Sequence, residues 1–260
     1  MAYDPINLGT AANDRTGDDW RTGGTKINTM FDELFSASSA AIILSSKADV
    51  LANGTLVGDE ITLNVANYYY ENIDLGTDVI ILPGGSLLEG STATLSIITS
   101  ASTKPTVTAR DGGFAACAIV GTGGARINNT GGGAAIRVQD TNTICAIRRL
   151  FTTECGTALE VNDSNFLLDG WTIFGTAVNG IVMTGTLNSG PIISSFNPIG
   201  LSGKGIYING DIASSDLRIN DAIINSVAGN GVEIAAGKTI PGMTFSGSSS
   251  STGGNGMKIA

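Results

Sequence analysis

Between residues 131 and 260 a small residue followed by an apolar, a variable and a second apolar residue recurs six times. The copies are Ala135-Ile136-Arg137-Val138, Ala158-Leu159-Glu160-Val161, Gly180-Ile181-Val182-Met183, Gly205-Ile206-Tyr207-Ile208, Gly231-Val232-Glu233-Ile234 and Gly256-Met257-Lys258-Ile259. The first apolar positions are separated by 23, 22, 25, 26 and 25 residues. Alternation sends the two apolar positions to one face of a strand and the residue between them to the other. An earlier strand in each coil is expected to begin at Ile144, Phe166, Pro191 and Leu217, each 15 residues before its motif. On that reading all length variation falls in one turn after the motif, at residues 139–143, 162–165, 184–190 and 209–216. A constant coil with one variable turn is what a solenoid of stacked coils requires.

The inward positions then stack as Ile136, Leu159, Ile181, Ile206, Val232 and Met257, beside Val138, Val161, Met183, Ile208, Ile234 and Ile259. Outward stand Arg137, Glu160, Val182, Tyr207, Glu233 and Lys258, with Arg137 beside Glu160 and Glu233 beside Lys258 as opposite charges on adjacent coils. The Ala or Gly before each strand implies a corner where a larger side chain would clash or where φ is positive. Asn179, Asn230 and Asn255 precede three of those glycines, as in Asn-Gly turns. Hexapeptide periodicity and the fixed leucines and asparagine of leucine-rich repeats are both missing. The expected fold is therefore mainly β: a right-handed parallel β-helix over 131–260, with opening strands over 47–130. In that opening segment 65–70, 79–90, 95–99 and 105–109 read as strands whose register the pattern leaves open.

Residues 1–46 follow a different pattern. After a loop-like stretch Asp18 can cap a helix. From there Trp20, Ile27, Leu34 and Ala41 fall at one heptad position and Gly23, Met30, Ala37 and Leu44 at another. This is a short seam able to join helices of a bundle; the same spacing suits a single amphipathic helix packed on its own domain.

Composition narrows the function. Among 260 residues there are 36 glycines and no histidine, and 14 Lys+Arg against 23 Asp+Glu give a net charge of −9. Without a basic face, phosphate neutralisation and hence nucleic-acid binding is not expected. The missing histidine removes the commonest general base and metal ligand, so no cofactor or metal is expected. Cys117, Cys145 and Cys155 match no zinc or redox spacing and read as buried free thiols in a protein made in a reducing cytoplasm. The first residues, Met1-Ala2-Tyr3-Asp4-Pro5-Ile6, do not form a signal peptide, and no apolar run approaches the ~18 residues of a membrane span, so membrane insertion is not expected.

The stretch Ile6-Asn7-Leu8-Gly9-Thr10-Ala11-Ala12-Asn13-Asp14-Arg15-Thr16-Gly17-Asp18-Asp19-Trp20-Arg21-Thr22, followed by Lys26-Ile27-Asn28-Thr29-Met30-Phe31-Asp32-Glu33-Leu34, resembles an N-terminal motif of tailed-bacteriophage tail-fibre and tailspike proteins. The likeness covers about 30 residues; Arg15 stands where that motif commonly has glycine, and Met30 where it has asparagine. The resemblance implies a homotrimer located in the virion and assembled in the host cytoplasm. Ile6, Leu8, Trp20, Ile27, Met30, Phe31 and Leu34 would form the virion anchor and trimer seam, and the β-helix would project outward. Its partners would be its own copies, other virion proteins at both ends and a host surface glycan.

Phage β-helices often cleave polysaccharide, which takes two carboxylates about 5–9.5 Å apart. The candidates Asp140, Glu154, Asp163, Asp169, Asp211, Asp216 and Asp221 share no coil position in adjacent coils. The aromatics Trp171, Phe174, Phe196 and Tyr207 are few, and Trp171 and Phe196 occupy one coil position, as stacked core residues would. The expected function is thus a non-catalytic virion structural protein, a tail-fibre adaptor or short fibre. A polysaccharide-degrading or polysaccharide-binding tailspike and a capsid-decorating head fibre are the alternatives. The repeat runs through Gly256, Met257, Lys258 and Ile259, which reads as a docking end, unless the polar tract 246–252 folds back over it as a cap.

Overall fold

The computed structural model describes residues 41–91, 96–110, 117–139, 144–187, 191–213, 217–251 and 253–259; the expected seam residues Ile6, Leu8, Trp20, Ile27, Met30, Phe31 and Leu34 lie outside them. From Ile42 onward the chain is a β-solenoid of about eight turns, alternating between two parallel sheets. The first sheet stacks Ile42–Leu44, Asn67–Tyr70, Leu87–Gly90, Cys117–Val120, Ile144–Thr152, Asn165–Ile173, Ile192–Pro198, Leu217–Val227 and Met243–Ser251. The second stacks Glu60–Leu63, Val79–Pro83, Val107–Arg110, Ala134–Gln139, Thr157–Asn162, Asn179–Leu187, Ile206–Ile212, Val232–Ile234 and Met257–Ile259. Gly54–Val57 pairs antiparallel with Glu60–Leu63 at the start of the second sheet. Segments 47–130 and 131–260 therefore share the same two sheets.

The register of the repeat is the expected one. Ile136 pairs with Leu159, Leu159 with Ile181, Ile181 with Ile206, Ile206 with Val232 and Val232 with Met257. The column also runs backwards, through Val107 and Ile80 to Ile61. Every member from Ile61 to Val232 is fully buried. A matching column in the first sheet joins Tyr68, Leu88, Ile119, Ile147, Leu168, Ile193, Ile219 and Phe245. Together these columns make one continuous core. Trp171 pairs with Phe196 inside it, and the indole N–H donates to Thr152 Oγ1 at 3.1 Å, which satisfies the one polar atom of a buried Trp.

Five local expectations change. Cys145, not Ile144, pairs with Phe166; Ile144 pairs with Asn165. The corner between Thr152 and Thr157 is one residue shorter than that between Ile173 and Asn179, which displaces the earlier strand by one position relative to its motif. Residues 184–187 and 209–212, read as turn, continue their strands and pair with each other, burying Leu187 and Ile212. Leu44 is not a seam residue: it pairs with Tyr70 in the first sheet and is fully buried. The serine tract from 246 to 251 is no fold-back cap but belongs to Met243–Ser251, a strand paired with Leu217–Val227.

The fifth concerns the small residue before each motif strand. Gly180, Gly205 and Gly231 do not have positive φ. A Cβ on Gly205 would lie 2.3 Å from the Gly231 carbonyl oxygen and 2.6 Å from Ile224 Cγ2, so close approach is the constraint. Nor do the preceding asparagines make Asn-Gly turns with positive φ. Asn179 Oδ1 accepts from the Lys204 N–H at 3.0 Å and Asn230 Oδ1 from the Asn255 N–H at 2.8 Å, each capping the equivalent residue one turn further on.

Positive φ occurs instead within the first-sheet strands. Arg149 (φ 54), Gly170 (φ 78), Ser195 (φ 54) and Asp221 (φ 51) occupy one position in successive turns. Each bends its strand so that the residues before and after it both reach the core: Leu168 and Trp171, Ile193 and Phe196. Before this column forms, the same face is covered by separate short strands, Asn72–Asp74, Ile97–Ser100 and Arg126–Asn129, the last of which joins Ile144–Thr152 at Phe151. A short helix, Lys47–Ala52, lies between the first strands; its N-cap Ser46 accepts from the Asp49 N–H at 3.2 Å, and its Val50 joins the core.

Two sets of substitutions test this account. Leu159→Ala should cost about 2–5 kcal/mol in denaturant unfolding, as core truncations do; a loss below ~1 kcal/mol would remove Leu159 from the core. At Gly170 a Cβ meets nothing closer than 3.6 Å, so Gly170→Ala isolates backbone strain and should cost about 1–2 kcal/mol, whereas Ser195→Gly should be neutral or stabilising.

Candidate functional site

The outward face of the second sheet is the most organised surface of the solenoid. Between the inward columns runs Thr62, then Ile81 and Thr108, which are buried, and then Arg137, Glu160, Val182, Tyr207, Glu233 and Lys258, each paired in register with the next. Both expected charge pairs form: Arg137 Nη2 lies 2.5 Å and its Nε 2.8 Å from Glu160 Oε2, and Lys258 Nζ lies 3.9 Å from Glu233 Oε1. Two residues on, a polar column joins Arg110, Gln139, Asn162, Thr184 and Asn209. The last four lie in what the sequence pattern assigned to turns.

Between these two columns lies a groove of ≈ 380 Å³, lined by Arg137, Gln139, Glu160, Asn162, Val182 and Thr184 together with Val161. Thr184 Oγ1 donates to the Val161 carbonyl at 3.2 Å, which fixes its rotamer. Successive rungs present a guanidinium–carboxylate pair, amides and a hydroxyl about 4.8 Å apart over an apolar patch. Such a surface can hydrogen-bond an extended polar ligand. Glu160 is the carboxylate in the lining, and Arg137 holds it.

Further along the same face Glu233 is nearly buried. Asn230 Nδ2 donates to its Oε2 at 2.6 Å, Lys204 Nζ lies 3.0 Å from the same oxygen, and the Lys204 ammonium sits 3.4 Å from the centre of the Tyr207 ring. Burial raises the Glu233 carboxyl, but the hydrogen bonds from Asn230 and Lys204 and the charges of Lys204 and Lys258 outweigh it, and the group ends below the ordinary carboxylate value. On the first sheet Phe151 and Phe174 meet edge to face at 6.2 Å with Arg126 over the Phe174 ring. A smaller hollow of ≈ 180 Å³ lies between Ile43, Tyr69, Glu71, Glu89 and Ser91.

Of the described candidate carboxylates, Asp163 and Asp211 stand on the turns before and after Thr186. Asp163 Oδ1 accepts from the Thr186 N–H at 2.7 Å and Asp211 Oδ1 from the Thr239 N–H at 2.8 Å, so each caps backbone one turn on. Asp169 pairs in register with Arg148 and Ser194, and Asp221 occupies the positive-φ corner; both are exposed, as is Glu154. Asp140 and Asp216 lie outside the described residues. Among the described residues no group of three or more Asp, Glu, Cys or His is placed to hold a metal. No helix among them is long and apolar enough to cross a membrane. In the expected docking end, Met257 and Ile259 continue the two inward columns but are 39% and 70% exposed, and Lys258 continues the outward one.

The Glu233 network sets a pH dependence. A carboxylate lowered on folding contributes stability that is present above its unfolded value and is lost as pH falls through the folded value. The stability gap between the wild type and Glu233→Gln, measured by urea unfolding, should therefore narrow steadily from neutral pH to below pH 4. A constant gap would take Glu233 out of the network's charge balance.

Comparison with known proteins leaves these contacts as the basis for assigning a role: no family model matches the chain, and no curated protein matches it.

Proposed function

We propose that this chain is a non-catalytic structural protein of a bacteriophage virion, a homotrimeric short fibre or tail-fibre adaptor joining other virion proteins. The observation that carries the reading is how the outward acids are used. Asp163 and Asp211 cap the backbone of the next turn, and Glu160 and Glu233 are ion-paired along the stack. These groups hold turn to turn, as a rigid spacer requires, rather than facing each other across a bond to be broken. The N-terminal likeness of residues 6–35 to the virion anchors of tail fibres supplies the location.

A second reading, a polysaccharide-binding tailspike, is favoured by the groove at Arg137, Gln139, Asn162 and Thr184. Hydrolysis there would need a second carboxylate opposite Glu160.

Incubation with host surface polysaccharide should release no new reducing ends. Turnover abolished by Glu160→Gln would overturn the non-catalytic reading. Sedimentation tests the assembly: the intact chain should be a trimer and a chain lacking residues 1–41 should lose that state. A monomeric intact chain would remove the fibre proposal. Binding of the polysaccharide without turnover, weakened about tenfold by Asn162→Ala, would establish the second reading instead.

A further inference from the structure

The three cysteines are all buried, but they are not equivalent. Cys117 and Cys145 stand directly opposite each other in adjacent turns of the first sheet, paired Cα to Cα within the ladder that also joins Ala118 to Ala146 and Ile119 to Ile147. Both side chains point inward: Cys117 is 4% exposed and Cys145 fully buried, in the same core cluster. Phe166 is the next residue of the column beyond Cys145 and closes it on that side. Cys155 lies in the short corner after Thr152, in neither sheet, and is also buried.

Parallel register places such a pair about 4.8 Å apart at Cα, within the ~4.4–6.8 Å window of disulfides. Because the two Cβ vectors run side by side, closing the bond draws the two turns together, and that strain makes the bond readily reducible rather than permanent. The neighbouring Cys145 thiol favours the Cys117 thiolate against the opposing effect of burial, and the neighbouring Cys117 together with burial raises Cys145 well above the ordinary thiol value. Cys155, by contrast, is pushed up to about 12 by burial, with no thiol partner.

We propose that Cys117 and Cys145 form a peroxide-sensitive thiol pair that reversibly staples two adjacent turns of the solenoid. The oxidant is hydrogen peroxide, a molecule of water-like size. The Cys117 thiolate attacks one peroxide oxygen and the O–O bond breaks. Protonation of the departing hydroxide releases water, and Cys117 becomes a sulfenic acid. The Cys145 sulfur then attacks the Cys117 sulfur; the S–O bond breaks, a second water leaves with the Cys145 proton, and the disulfide remains. One peroxide is reduced to two waters and two thiols are oxidised to one disulfide. An external dithiol reverses the step by thiol–disulfide exchange.

The test treats the folded full-length chain with hydrogen peroxide, quenches with N-ethylmaleimide under denaturing conditions, and reads intact mass and peptide maps. The expected product has lost two hydrogens, about 2 Da, in a single linked pair of peptides containing Cys117 and Cys145, with Cys155 carrying the label. Dithiothreitol should restore both labels. In Cys145→Ser the intermediate has no resolving thiol, so Cys117 should instead gain one oxygen and react with dimedone. Should that variant fail to fold, Cys145→Ala serves the same purpose, and the wild-type peptide map alone remains decisive. Sulfinic or sulfonic Cys117 with Cys145 still free, oxidation of Cys155 ahead of Cys117, or no reaction in the folded chain while the unfolded chain oxidises would each overturn the proposal.

Discussion

In a parallel solenoid the nearest neighbour of every side chain is the side chain at the same position one turn away. That identity of neighbours is the constraint from which the rest of this structure follows. It makes the core a set of columns rather than a jigsaw, and a column tolerates only residues that pack on their own kind. Ile80, Val107, Ile136, Leu159, Ile181, Ile206 and Val232 meet that condition through similar volume and branched or compact shape. The same rule on the outer face makes a run of like charge unfavourable. Arg137 beside Glu160, and Glu233 between Lys204 and Lys258, satisfy it with opposite signs.

The rule extends to the backbone. A corner has to be made in the same way in each turn or the ladders on either side lose register. The positive-φ column of Arg149, Gly170, Ser195 and Asp221 shows the backbone conformation kept while the residue type changes. Left-handed backbone costs an ordinary residue about 1–2 kcal/mol. Here that strain is offset by the core contacts that the bend makes possible on both sides of it, Leu150, Trp171 and Phe196 among them. Polar corners obey the same logic, with Asn179, Asn230, Asp163 and Asp211 each accepting from backbone one turn on.

What the amino-acid sequence revealed follows from this. The second-sheet column was legible from Ala135 onward because each strand is flagged by a small residue and two apolar positions. The same column was illegible earlier, since Ile61, Ile80 and Val107 are preceded by Glu60, Val79 and Thr106, which carry no flag. The bend at Arg149, Gly170, Ser195 and Asp221 left no common residue type to find. Cys145 was missed by one position because one corner is a residue shorter than its neighbour, a difference that spacing from the motif cannot see. Half of the groove was legible too: Arg137, Glu160 and Val182 were read as outward, while Gln139, Asn162 and Thr184 were hidden by strands that continue past the motif into what the repeat spacing marks as turn.

The inter-turn hydrogen bonds of both sheets point along the stacking direction, so a pull on this rod is a pull on those bonds end to end. Under tension the turns would separate singly, each held by a rung in both sheets, and the weakest junction would set the breaking load. Short rungs such as Val232–Ile234 on Met257–Ile259 carry fewer bonds than the long ones between Ile144–Thr152 and Asn165–Ile173. The solenoid is thus mechanically graded along its length, stiffest through its middle and compliant toward the strand Met257–Ile259.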